Sequence, residues 1–144
     1  MEAYNNSGQS FFEVVVAIGL ISIVLVTLVA LGALSIRASV YSRNQTQASR
    51  FTQQAIEWLR EEKSASWSSF KIKAGTSNWC LDSLYWGSPG DCSSSQIISG
   101  TIFARSLKLT NLDAETIQAD VQTTWVDKQG THTAPSSTIF TSWK

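Results

Sequence analysis

The sequence predicts an α+β chain, with a long N-terminal helix that is first apolar and then amphipathic, followed by a small antiparallel sheet. Three observations predict it. Residues 14–36 form an unbroken apolar run without a formal charge. Tyr41, Ala48, Phe51, Ala55, Trp58 and Leu59 then recur by threes and fours, the period of a helix with one buried face. From residue 102 onward the pattern becomes the two-residue alternation of strands.

The apolar run comes first. At a rise of ~1.5 Å per residue it makes about 34 Å of helix, enough to cross a hydrocarbon core about 30 Å thick. A strand of that length is excluded, because strands average about 5–6 residues. The same length disfavours a buried helix of a soluble domain, so the expectation is a single membrane-spanning helix. One carboxylate, Glu13, sits at its head. Burying an ionisable group there is costly and implies an assigned partner. The competing explanation is a headgroup-level carboxylate that merely favours the positive end of the helix dipole. Basic residues follow the run (Arg37, Arg43, Arg50) and none precedes it. Taken alone, that bias places the C-terminal part in the cytoplasm.

Residues 37–63 continue as the amphipathic helix, with Gln45, Gln47, Arg50, Gln53, Gln54, Glu57 and Glu61 on its polar face. Its apolar stripe is expected to pack on a core built further along the chain. Residues 64–69 read as a polar turn, and the stretch to Gly100 as an irregular connector rich in glycine and serine. Trp67, Phe70, Trp79, Tyr85 and Trp86 fall within it. They are expected to cover an edge of the sheet, with a ligand-binding surface as the alternative. Residues 102–109 form a strand with Phe103, Leu107 and Leu109 apolar and Arg105 out of phase. Residues 117–126 alternate more cleanly, with Ile117, Ala119, Val121 and Trp125 on one face. Residues 127–130 are a turn in which Gly130 supplies the unusual backbone angle. Residues 131–133 and 137–143 return as one or two final strands, giving a three- or four-stranded meander.

Gly8, the polar leader before it, Glu13 five residues after it and the immediate apolar run together resemble the N-terminus of type IV pilins and pseudopilins. In that family a dedicated prepilin peptidase cuts after a glycine, matched here by Gly8, and the new terminus is N-methylated. The resemblance implies a mature chain starting at Gln9, the family's glutamate at the fifth mature position, matched by Glu13, and a pilin-like fold. It divides the chain into a leader 1–8, a transmembrane and filament-core helix 9–36, an amphipathic helix 37–63, and a head 64–144. The leader has no lysine or arginine and the run is too long for a cleavable secretory signal, while a plain signal anchor needs no glutamate. Trp125, Asp127, Gly130 and the terminal Trp143-Lys144 are similar to minor pilins and pseudopilins of the helper type. The implied partners are other pilin or pseudopilin subunits, the prepilin peptidase and membrane lipid. The implied location is the inner membrane with an exported C-terminal domain, and then a filament. In an exported domain Cys80 and Cys92 read as a disulfide.

Eleven basic and eleven acidic residues balance to zero net charge, so there is no electrostatic case for nucleic acid as a partner. The single histidine, His132, lies among threonines and reads as an exposed strand residue. Asp113, Glu115 and Asp120 read as a solvated group between strands. Nucleophilic catalysis needs a base poised beside a serine or cysteine, and no such pattern is found. There is no phosphate-binding glycine loop and no metal-ligand spacing. The expectation is a non-enzymatic chain without cofactors: a filament subunit, or alternatively a membrane-anchored exported binding module with no filament role.

Overall fold

The computed structural model describes residues 7–75, 78–87 and 89–142, with side chains from residue 11 onward. Leader residues 1–6 and the terminal Trp143 and Lys144 lie outside the described residues. The chain divides into two compact units, Met1–Ser42 and Arg43–Lys144.

The first unit is helical throughout its described part, formed by the opening portion of helix α1 (Ser7–Ala65). All of its described side chains are exposed, including the whole valine-, leucine- and isoleucine-rich run. Two hydroxyls of the apolar run are satisfied along the helix itself: Ser22 Oγ donates to the Ile18 carbonyl and Thr27 Oγ1 to the Val24 carbonyl, both at 2.8 Å. Such back-bonding is how hydroxyls are tolerated away from water. The helix is long and apolar enough to cross a membrane.

The second unit combines the end of α1 with α2 (Trp67–Lys73) and a four-stranded sheet: β1 (Trp79–Cys80), β2 (Ala104–Asn111), β3 (Thr116–Asp127) and β4 (Gly130–Thr141). Strand order is β1-β2-β3-β4 with every pair antiparallel, the meander expected from the alternation. Leu107, Leu109, Ile117, Ala119, Val121 and Phe140 form the inner face of the sheet. Ala55 and Leu59 of α1 pack on them, as the stripe foretold, joined by Ile56, which the stripe did not include. A second cluster joins Ala48 to Phe103, Trp125 and Ala134, with Phe51 against it. Thr52 also lies on this face, buried. Its Oγ1 is 2.9 Å from Thr123 Oγ1 and 3.0 Å from the carbonyls of Ala48 and Ala134. A hydroxyl has one proton and two lone pairs, so these neighbours satisfy it without a charged group.

Two details differ from the sequence reading, and the one or two final strands expected prove to be one. Residues 64–69 are not simply a turn, because a new helix starts at Trp67. Ser66, in extended conformation, caps α2 by accepting from the Ser69 N–H, and Phe70 of that helix is buried in the core. The connector contributes a two-residue strand, β1. The final strand is single and continuous across Pro135. The N–H of Ser142 donates to the Glu115 carbonyl at 2.9 Å, so even-numbered β4 residues face β3 and odd-numbered ones face outward. Pro135 therefore sits where no ladder donor is needed, on the outer side of an edge strand.

The opposite edge of the sheet is closed by the connector. Carbonyls of Phe103, Arg105 and Leu109 on that edge accept from the N–H groups of Ile98, Leu81 and Gly75 at 2.8, 2.8 and 3.2 Å. Gly75 reaches this position with φ of +80°, which a side chain would strain. The predicted hairpin at residues 127–130 is present. Gly130 has φ of +126°, and Asp127 Oδ1 accepts from the Gln129 N–H at 2.7 Å.

Candidate functional site

At the N-terminus, Gly8 and Gln9 lie within the α1 backbone, and their side chains are outside the described residues. Glu13 follows four residues after Gln9 on the same helix and is exposed. From Val14 to Ile36 the helix carries no other charge. Glu13 is thus the lone ionisable group at the head of an apolar surface that no other described part of its unit covers. Were that surface covered by lipid or by other helices, an ionised carboxylate there would cost several kcal/mol unless a cation met it.

Cys80 and Cys92 are joined as expected, with Cα atoms 4.8 Å apart. The bridge closes a loop that carries Leu81 into the core and Trp86 onto it. Trp86 is held from several sides. Its Nε1 donates to Glu62 Oε2 at 2.6 Å, and its ring lies 4.9 Å from Trp58 and 5.1 Å from Trp79. The Lys73 ammonium stands 5.2 Å from the Trp79 ring centre and 5.6 Å from that of Trp86, a favourable charge on two indole faces. Of the connector aromatics expected to cover an edge of the sheet, Phe70 and Trp79 are instead buried in the core and Trp67 and Trp86 pack against it, whereas Tyr85 is exposed. No local pattern links Trp58 of α1 to Trp86, 28 residues further along the chain. Only the density of aromatics in the connector hinted at a shared cluster.

Arg105 was expected out of phase with its apolar neighbours, yet it shares their inner face and is only 2% exposed. Its Nε donates to the Leu81 carbonyl at 3.1 Å and its NH1 to the Phe51 carbonyl at 2.9 Å. Burial lowers its pKa to about 10, partly opposed by the charge of Asp82, so it stays protonated at neutral pH. It ties the loop, the sheet and α1 together.

His132 is also less open than expected. It is half-buried, stacked on Trp125 at 5.2 Å, with Nε2 2.9 Å from Asp127 Oδ1. The bond from His132, then that from the Gln129 N–H, holds the Asp127 carboxyl below its ordinary range. The Asp113 carboxyl is lowered too, chiefly by the N–H of Glu115 and then by the Thr116 hydroxyl. Asp113 and Glu115 are exposed, whereas Asp120 is half-buried and accepts from Gln118 Nε2 at 2.9 and 3.0 Å. Among the described residues no cluster of His, Cys, Asp or Glu could hold a metal ion. Comparison with protein-family models, with curated proteins and with solved structures finds no match to this chain.

Proposed function

We propose that the chain is a minor pilin or pseudopilin: a structural subunit of a type IV pilus or a related secretion or DNA-uptake filament. In this reading the prepilin peptidase cuts between Gly8 and Gln9. The apolar helix then leaves the bilayer to pack against the same helix of other subunits, while the disulfide-bonded head stays outside. The observation that carries the reading is Glu13 at the head of a fully exposed apolar helix, five residues beyond Gly8.

The physical logic is a division of labour. Valine, leucine and isoleucine side chains supply non-directional adhesion, which alone would allow helices to slip along one another. A buried charge pair fixes register, the best-attested use of such pairs. The amine created at Gln9 would be the counter-charge for Glu13 of the same or a neighbouring subunit. A small head also gains from a covalent tie, since little core is available to it.

Mass spectrometry of the native mature N-terminus tests the proposal directly. The expected product starts at Gln9, is shortened by about eight residues in a peptidase-dependent way, and is full-length in Gly8→Asp. A full-length, monomeric native product would leave the chain as a membrane-anchored exported module instead.

A further inference from the structure

An open groove of about 780 Å³ lies in the second unit, lined by Arg50, Gln53, Gln54, Glu57, Trp58 and Glu61 of α1 and by Leu84 of the disulfide-closed loop. The α1 residues recur by threes and fours, so they form one stripe. The aromatic in that stripe is prearranged. Trp58 is half-buried against Trp86, which is itself fixed by Glu62 and Trp79. Glu57 is likewise held by Arg60, with both its oxygens 2.9–3.0 Å from NH1. Groups already ordered lose little entropy when a ligand arrives.

The lining chooses among ligands. Trp58 and Leu84 are its only apolar residues, and the rest of its hydrocarbon is the stems of glutamine, glutamate and arginine side chains, which suits a ligand with polar groups throughout better than a lipid tail or an apolar peptide anchor. Arg50 and the Arg60 that pairs with Glu57 balance the two glutamates, so the groove has no excess positive charge with which to hold phosphates, nucleic acids or sulfated polymers. Amides, carboxylates and a guanidinium around an indole suit a molecule with many hydroxyls and a weakly apolar C–H face. The negative face of an indole attracts such C–H groups. The rim offers both acceptors (Glu57, Glu61) and donors (Gln53, Gln54, Arg50) to hydroxyls.

We propose that this groove is a binding site for a neutral saccharide, with Trp58 as the stacking platform and Gln54 and Glu61 as hydroxyl partners. The site goes beyond the filament role and does not depend on it, since all its residues lie within Arg43–Lys144.

Calorimetric titration of the full chain, held in a detergent without a sugar headgroup, provides the test. The probes are maltohexaose, cellohexaose and chitohexaose, with heparin and a proline-rich peptide as counter-probes. At least one neutral hexasaccharide is expected to bind. Gln54→Ala and Glu61→Gln, both at exposed positions, are each expected to weaken it about tenfold, equal to about 1.4 kcal/mol. Trp58→Ala is expected to abolish binding, and Trp58→Tyr to restore part of it. Circular dichroism checks folding, and if Trp58→Ala unfolds, the two exposed variants decide. The proposal is overturned if none of the three sugars binds, if Gln54→Ala and Glu61→Gln bind as the native chain does, or if heparin or the peptide binds in preference.

Discussion

Arg105 carries a full charge into a site with almost no solvent, and the two carbonyls it serves come from different parts of the chain. Arg105→Ala removes packing and two hydrogen bonds to carbonyls, so a loss of about 2–4 kcal/mol is expected. Arg105→Met keeps the volume and avoids the desolvation, and should cost about 1 kcal/mol. Thermal unfolding of the two variants side by side measures the difference. Equal losses would mean that the hydrogen bonds, not the packing, set the cost. Asp127 acts in a different range. Its carboxyl is lowered below the ordinary value of 3.8 by His132 and the Gln129 N–H, so the charged form is favoured in the folded state. The resulting stability is fully present above that ordinary value and disappears as pH falls through the lower folded one. Asp127→Asn is therefore expected to be less stable than the native chain at neutral pH, with the gap closing in acid. A gap that does not narrow at all as the pH falls from neutral into strong acid would assign the effect to packing rather than to charge.

Among the elements, the connector does more than link helix to sheet. It caps the open edge of β2, contributes β1 and α2, and presses Trp86 against Trp58. The bond between Cys80 and Cys92 holds this arrangement. Replacing both cysteines by serine is expected to lower unfolding stability by about 3 kcal/mol in the chain-entropy account. Denaturant titration with and without reductant checks this. Reductant should weaken the native chain and leave the variant unchanged. On the far side, β4 remains a free edge, and Pro135 at an outward position removes a donor that a foreign strand would use. This is a device of the element as a whole, since neither the proline nor the threonines around it signify anything until the register is known.

For the whole chain, the proposed assembly depends on one acidic side chain. Glu13→Val should leave the head folded and the helix still apolar, but subunits are expected to enter filaments much less than the native chain. Quantitative immunoblotting of sheared filaments against total membrane protein measures that ratio. Equal incorporation would remove the register role.

The long helix, its membrane-length apolar run, the amphipathic stripe and the meander could all be read from the sequence. Each is a local periodicity that a helix or strand must respect wherever it ends up. The disulfide pairing was legible because only two cysteines exist. The burial of Arg105 and the Trp58–Trp86 contact were decided only by tertiary structure, whereas the Ser66 cap of α2 and the His132–Asp127 pair span three and five residues and are local features that the sequence reading missed. A polar residue inside an alternating strand has no local signal for its acceptors, because Phe51 and Leu81 reach it from 54 and 24 residues away. Periodicity reports which face a residue occupies, whereas its partners depend on how distant faces meet.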